Sequence, residues 1–194
     1  MQKTAILILA AGSSSRMGKP KQLLPYKNTT LLGWTISQAK KSKANNVFCV
    51  LGANAEIITK DISKHKIECI LNTNFKDGLS SSIVAGIDYL KSTDFDAILI
   101  MLADQPNINS DYLNKLIKTS EENPSKIIAS NYIDKIGVPA IFTKKYFPHL
   151  LNLKGDKGAK DFLNNHQSKI IKLKPFNLVD IDTKEDYKKL MLDQ

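Results

Sequence analysis

Cysteine, histidine and tryptophan are scarce in this 194-residue chain, with two, three and one copies respectively. Cys49 and Cys69 sit in separate apolar runs and the histidines are scattered, so neither a disulfide framework nor a zinc cage is expected. Reduced, buried thiols and a cytoplasmic setting fit that usage. No apolar stretch approaches the roughly 20 residues of a membrane-spanning helix, and no membrane partner is expected. The short run Ala5 to Ala11 has only Lys3 before it and Gly12 with three serines after it. It reads as a buried first strand rather than the core of a signal peptide. Aromatic residues are few and are not interleaved with the lysines, which argues against a nucleic-acid track.

What the chain has in excess is positive charge, 28 basic against 19 acidic residues for a net +9. Much of that is a solvated lysine surface, and the remainder favours anionic partners such as nucleotides and phosphorylated metabolites. Short apolar, β-branched runs alternate with longer amphipathic stretches. Thr4 to Ala10, Asn46 to Leu51, Ile67 to Leu71 and Ala97 to Leu102 read as strands covered on both faces. Leu31 to Lys43, Ala55 to Ser63, Leu79 to Leu90 and Asp111 to Thr119 read as helices, the last with Ser110 as its N-cap. After residue 125 the rhythm loosens. Ile127 to Ser130, Val138 to Phe142 and Lys169 to Leu173 look extended; Lys157 to Asn165 and Lys184 to Leu192 look helical. The pattern predicts an α/β fold of three layers, Rossmann-like, with a mostly parallel central sheet and some antiparallel pairing near its end. No linker or repeat divides the chain, and residues 1–194 are expected to form a single domain.

Three segments carry candidate chemistry. Leu9-Ala10-Ala11-Gly12-Ser13-Ser14-Ser15-Arg16-Met17-Gly18-Lys19-Pro20-Lys21 leaves the first strand at the edge of the sheet where open α/β folds bind ligands. Gly12 and the serines allow close backbone approach, so that successive N–H groups can cradle phosphate oxygens, while Arg16, Lys19 and Lys21 add positive charge. The loop is neither a P-loop nor a three-glycine dinucleotide fingerprint. A plain Ser/Gly turn beside a charged patch is the competing reading. Asp104, at the end of the apolar run Ala97 to Leu102, is either a Mg²⁺ ligand or a turn aspartate before Pro106. Asp180-Ile181-Asp182 places two carboxylates on one side if extended; Asp182 is either a second metal ligand or the cap of the last helix, paired with Glu185. Asn74, Gly78 and Ser82 lie in a stretch that either reads a base or ribose or caps a helix through Ser80 or Ser81.

Taken together, the first loop, Gln22-Leu23-Leu24-Pro25, Leu102-Ala103-Asp104-Gln105-Pro106 and the later motifs resemble the MobA/MocA-like nucleotidyltransferases over essentially the whole chain. They are similar to the branch containing molybdenum cofactor cytidylyltransferase. The resemblance implies CTP and a molybdopterin-type acceptor as substrates, Mg²⁺ as cofactor, and a molybdoenzyme or chaperone as a further partner. It implies Arg16, Lys21 and Asp104 as catalytic residues and Asp104 with Asp182 as metal ligands. Leu9, Ala10, Ala11, Gly12, Lys19, Lys21, Asn74, Gly78 and Ser82 would contact the nucleotide. Gly137-Val138-Pro139-Ala140-Ile141-Phe142 and Gly155-Asp156-Lys157-Gly158-Ala159-Lys160 resemble acceptor-side segments. Val138 stands where many relatives have His, and Lys160 where the pattern has Arg, which loosens the acceptor assignment. No general base is required, because an acceptor phosphate is already ionised and can attack the α-phosphorus directly. A transferase for another nucleotide or phosphorylated acceptor, and an accessory protein that binds without turnover, are the competing functions.

Overall fold

The computed structural model describes residues 2–132, 135–175 and 178–192, with the Arg16 side chain outside that description. Strand β1 (Thr4–Leu9) is followed by a small hairpin of β2 (Pro25–Tyr26) and β3 (Thr29–Thr30), then helix α1 (Leu31–Lys41) and β4 (Asn46–Leu51). Helix α2 (Ala55–Ile62), β5 (Glu68–Leu71), α3 (Leu79–Leu90) and β6 (Ala97–Leu102) come next. Helix α4 (Ser110–Glu122) leads to β7 (Ile127–Tyr132) and β8 (Lys135–Thr143). The chain then forms α5 (Phe147–Leu150), α6 (Lys160–Asn165), β9 (Ile170–Leu173) and α7 (Lys184–Leu192).

Seven strands form one sheet in the order β5-β4-β1-β6-β8-β7-β9. Pairing is parallel except that β8 runs against both neighbours, β6 and β7. The fold is therefore the expected mostly parallel sheet with one reversed strand. Alternation along β1 explains the three layers. Ala5, Leu7 and Leu9 face a cluster that includes Ile83 and Ile87 of α3 and Leu163 of α6. Ile6, Ile8 and Ala10 face Leu32 and Ile36 of α1, Ile58 of α2 and Leu116 of α4. With both faces covered, β1 is wholly apolar apart from Thr4, as a central strand must be. A third cluster joins Met17, Leu24, Tyr26 and Leu31 to Ile181 and Leu190, so the end of the chain packs on the segment that follows β1.

The chain proceeds outward from β1 to β4 and β5, then crosses back to β6 on the other side of β1. That reversal leaves a crevice at the carboxyl ends of β1 and β6, where loops cannot cover each other. There the loops after the two strands lie side by side.

Several boundaries differ from the expected ones for local reasons. Helix α6 starts at Lys160, not Lys157, because Gly155 and Gly158 adopt φ of 76° and 57° and turn the chain first. The two late strands extend to form a long β7–β8 pair with an irregular register after Ala129. Cys49 and Cys69 are free thiols in register across β4 and β5, and Cys69 is only partly buried. The N-cap of α4 is Asn109, whose side chain accepts from the Tyr112 N–H at 2.9 Å, and Ser110 is the first helical residue. Asn109→Ala should therefore lower the unfolding free energy by about 1 kcal/mol, and Ser110→Ala by a smaller amount. Urea unfolding of the two variants tests this, and the reverse order would return the cap to Ser110.

Candidate functional site

The loop after β1 is shaped by one buried amide. Gln22, 2% exposed, donates from Nε2 to the carbonyls of Ala10 and Gly12, both at 2.9 Å. Its Oε1 accepts from the Ser14 hydroxyl at 3.2 Å, and that hydroxyl accepts from the Lys21 N–H at 3.0 Å. Ser14 takes a left-handed conformation, φ 56°, to make the return. The loop is thereby folded back on residues 20–22 and Lys21 is brought to the end of β1. A Cβ built on Gly12 would meet no protein atom within 4 Å, so the glycine faces open space and packing does not require it.

Lys21 meets two carboxylates from distant parts of the chain. Its Nζ pairs with Asp104, which is 9% exposed, and donates to Asp182 Oδ1 at 2.9 Å. The return of the Asp182 segment is set by the Ile181 N–H, which donates to the Asp104 carbonyl at 3.0 Å, and by the fully buried Ile181 side chain. Asp180 and Asp182 flank that anchor. The cap of α7 centres on Thr183 and Asp186, with the Asp182 N–H also donating to the Asp186 carboxylate at 3.2 Å. The Thr183 hydroxyl accepts from the Asp186 N–H at 3.1 Å, and Asp186 accepts from the Thr183 N–H at 2.8 Å. This reciprocal box uses Thr183 and Asp186, not the alternative pairing of Asp182 with Glu185, and leaves the Asp182 carboxylate for Lys21.

Asp104 and Asp182 thus share one ammonium, with Asp180 near enough to act on both carboxylates. Burial works against the charged Lys21, but the Asp104 and Asp182 carboxylates outweigh it and hold the ammonium above its ordinary range. Burial also raises the Asp180 carboxyl, opposed by a hydrogen bond from Gln105 and reinforced by repulsion from Asp104 and Asp182. Asp104 Oδ1 is buried and has no protein donor within reach. A buried, unpaired carboxylate oxygen in a negative cluster is the environment a hard cation relieves.

These groups line a cavity of about 1040 Å³ together with Leu9, Ala10, Ala11, Gly12, Gly78 and Ser82. Of the residues proposed from sequence, Lys21, Asp104 and Asp182 also belong to it. Two do not. Lys19 is exposed and absent from the lining. Asn74 caps the short turn Phe75–Asp77 and lines a separate cleft of about 550 Å³ with Asn72, Ser81 and Leu151. The Arg16 side chain lies outside the described residues; its backbone belongs to the turn Ser15–Met17 within the loop.

The far wall gives Gly78 and Ser82 structural duties beside any ligand contact. Gly78 has φ 95°, and a Cβ there would lie 2.7 Å from the Gly155 carbonyl oxygen and from Asp156 Cα. The loop 154–158 rests on it and ties down the start of α3. Asp156 Oδ1 accepts from the Leu79 N–H at 3.2 Å, the Gly155 carbonyl accepts from the Ser80 N–H at 3.1 Å, and the Ser80 hydroxyl donates to the Lys154 carbonyl at 3.2 Å. Ser82 accepts from Asn72 Nδ2 at 3.1 Å.

Beyond the cavity lies a smaller pocket of about 250 Å³, bordered by Ile136, Gly137, Val138, Ala159, Leu163 and three lysines, 135, 157 and 160. It brings together the two segments that resemble acceptor-side motifs. Gln22, Gln105, Tyr132 and Asp156 were not assigned roles from sequence. Gln22 entered the sequence reading only as part of a family-like motif, and the loop geometry reveals what it does.

Comparison with known proteins follows the same lines. A family described as MobA-like NTP transferase domain matches residues 6–170. "Purine catabolism protein PucB" of Bacillus subtilis is 30% identical, over 93% of this chain and 92% of that protein. "Nicotine blue oxidoreductase" of Paenarthrobacter nicotinovorans is 29% identical, over 81% and 79%. Among solved structures, Rv0371C of Mycobacterium tuberculosis H37Rv in complex with manganese superposes with a TM-score of 0.83 at 25% identity, covering 100% of both chains.

Gly78→Ala should displace the loop 154–158 and cost about 1–3 kcal/mol, because both φ and the backbone contact oppose a side chain. Urea unfolding with hydrogen exchange over residues 154–158 tests it. An unchanged midpoint together with unchanged exchange would show that the loop does not depend on this glycine.

Proposed function

Because the chain belongs to the MobA-like NTP transferase family, we propose that it transfers CMP from CTP to a molybdopterin-type acceptor and releases pyrophosphate. The observation that supports this most is the meeting of Lys21, Asp104 and Asp182 beside the Gly12 loop, in one cavity that opens toward a second pocket. The relatives' names point to different chemistries, so the acceptor is argued from the site and from the motifs rather than from those names.

In this reading the triphosphate lies along the Ala10–Ser13 backbone, where open space in front of Gly12 admits phosphate oxygens. Arg16 and Lys21 neutralise charge on the phosphates, with Lys19 in a supporting role from outside the lining. Asp104 and Asp182 would hold Mg²⁺. Two carboxylates suit an ion that takes its remaining ligands from substrate phosphates and water, and the unpartnered Asp104 Oδ1 is an available donor. When bound, the metal would screen phosphate charge and favour departure of the pyrophosphate. Leu79, Gly78 and Ser82 line the base end. Asn74 contributes only if the cleft it lines opens to the base.

The acceptor occupies the smaller pocket, where aliphatic side chains cover its body and Lys135, Lys157 and Lys160 offset its charge. Its phosphate oxygen attacks the α-phosphorus. A P–O bond to the nucleotide forms as the bond to the β-phosphate oxygen breaks, and pyrophosphate leaves. The protein holds two anions in line and needs no nucleophile of its own. We take residues 1–194 as one such domain acting in the cytoplasm; no helix among the described residues is long and apolar enough to cross a membrane.

A pyrophosphate-release screen crossing CTP, GTP, ATP and UTP with molybdenum-loaded molybdopterin and phosphorylated alcohols is the direct test. Turnover with CTP and molybdopterin alone is the expected outcome. Turnover with another pair would move the protein to a different transferase specificity, and tight ligand binding with no pyrophosphate would make it an accessory protein. Within an active pair, Arg16→Ala and Asp104→Asn should each lower kcat about 100-fold or more while the fold survives. Near-normal turnover in both would remove these residues from the mechanism.

A further inference from the structure

The main cavity and the smaller pocket share a border of four residues: Leu9, Leu79, Leu102 and Asp180. Three are aliphatic, so among the described residues Asp180 brings the one charged group to that border. A molecule reaching from one cavity into the other passes over its carboxyl.

Asp180 is held from two directions. On the chain it adjoins the buried Ile181, tied by its N–H to the Asp104 carbonyl. Across space, Gln105 Nε2 donates to Asp180 Oδ1 at 2.9 Å and lies 2.9 Å from the Tyr132 hydroxyl oxygen. The Tyr132 hydroxyl in turn donates to the Val138 carbonyl. The two hydrogens of that amide nitrogen serve Asp180 and Tyr132 at the shorter distances, and the Val138 carbonyl lies farther off at 3.3 Å. Gln105 is 1% exposed, so the amide that makes these bonds lies within the packed interior. The result is a connected unit running from the residue after Asp104, through Asp180 and Tyr132, to the strand that borders the pocket. The other two carboxylates of the cluster turn to Lys21 instead.

We propose that Asp180 is a specificity-determining residue for the acceptor, with Gln105 as the positioning residue that holds it. The inference rests on the nucleotidyltransferase reading above. A fixed carboxylate at the passage accepts a hydrogen bond from an O–H or N–H and repels an anion. The acceptors it favours are phosphate monoesters that carry such a donor just behind the attacking phosphate. Those that place a second anion there are disfavoured. Asp104 and Asp182 serve the triphosphate end, and Asp180 serves the acceptor end.

Asp180→Asn and Gln105→Met test this. Each keeps close to the native volume, and urea unfolding first establishes that both fold. CTP affinity is then measured by calorimetry with Mg²⁺, and steady-state KM is measured for CTP and for acceptor, using molybdenum-loaded molybdopterin and 2-C-methylerythritol 4-phosphate as acceptors. Asp180→Asn should raise the acceptor KM about tenfold or more, the size expected for loss of one charge-assisted hydrogen bond, while CTP affinity stays within about twofold. Gln105→Met should move the acceptor KM in the same direction, and Gln105→Glu should not restore it, because a carboxylate cannot donate to Asp180. A loss of CTP affinity as large as the acceptor effect would assign Asp180 to the triphosphate end and overturn the inference. So would unchanged constants for both substrates. A wild-type protein that releases pyrophosphate with neither acceptor would instead overturn the reading on which the inference rests.

Discussion

The Lys21 ammonium, shared between Asp104 and Asp182, is the contact on which the architecture of the site depends. It joins residues 21, 104 and 182, which come from the loop after β1, the loop after β6, and the segment before the last helix. Two carboxylates this close, one of them largely buried, would repel each other without a cation between them. The lysine offsets that repulsion, and the apolar cluster of Met17, Leu24, Tyr26, Leu31, Ile181 and Leu190 holds the backbone in place around it. The cluster brings the chain's end back to its beginning, and the charges fix which atoms meet there.

The sheet makes this meeting possible and also divides the site. Because the chain moves outward from β1 and then crosses to β6, two loops diverge at adjacent strand ends and leave the larger cavity between them. The reversed strand β8 on the far side of β6 presents Gly137 and Val138 toward the smaller pocket, and α3 with the loop 154–158 closes the opposite wall. A wholly parallel sheet would have needed a helical crossover at that place. The antiparallel neighbour lets a strand, with its closely spaced backbone groups, border the second pocket.

Much of this was legible in the residues. Largely apolar runs identified β1, β4 and β6 almost to their ends, whereas β5, read as covered on both faces, is an edge strand with Glu68 and Leu71 exposed. Asp104 stood out because a carboxylate directly after an apolar run needs an offset, with a turn as the rival reading. Lys21 and the Gly12 loop stood out through charge, glycine and the family resemblance. The misplaced features share a different cause. The cap at Asn109 rather than Ser110, the box at Thr183 and Asp186, and the late start of α6 each turn on one or two residues, and several neighbours offered the same chemistry. Asn74 sits one turn away from the cavity because Gly78 and the loop 154–158 stand between, a contact between segments some 77 positions apart in the chain that no local pattern records. Gln22 and Gln105 act through buried amides, whose importance lies in what surrounds them.

That last point bears on the departure at Val138. Where a histidine side chain would offer an imidazole, valine packs partly buried against the cluster beneath the sheet, and the polar group this position contributes is its carbonyl. The carbonyl is held by the Tyr132 hydroxyl, and Tyr132 is held by Gln105. Burial raises the Tyr132 phenol well above its ordinary range, with the Asp180 carboxyl adding to the effect, so it stays protonated and remains a donor. A substitution at 138 therefore removes one side-chain contact without disturbing the backbone acceptor or its supports. Under the proposed acceptor reading, polar recognition in the smaller pocket falls to groups that survive that change: the lysines that line it, and the carboxyl that Gln105 holds at its border with the larger cavity.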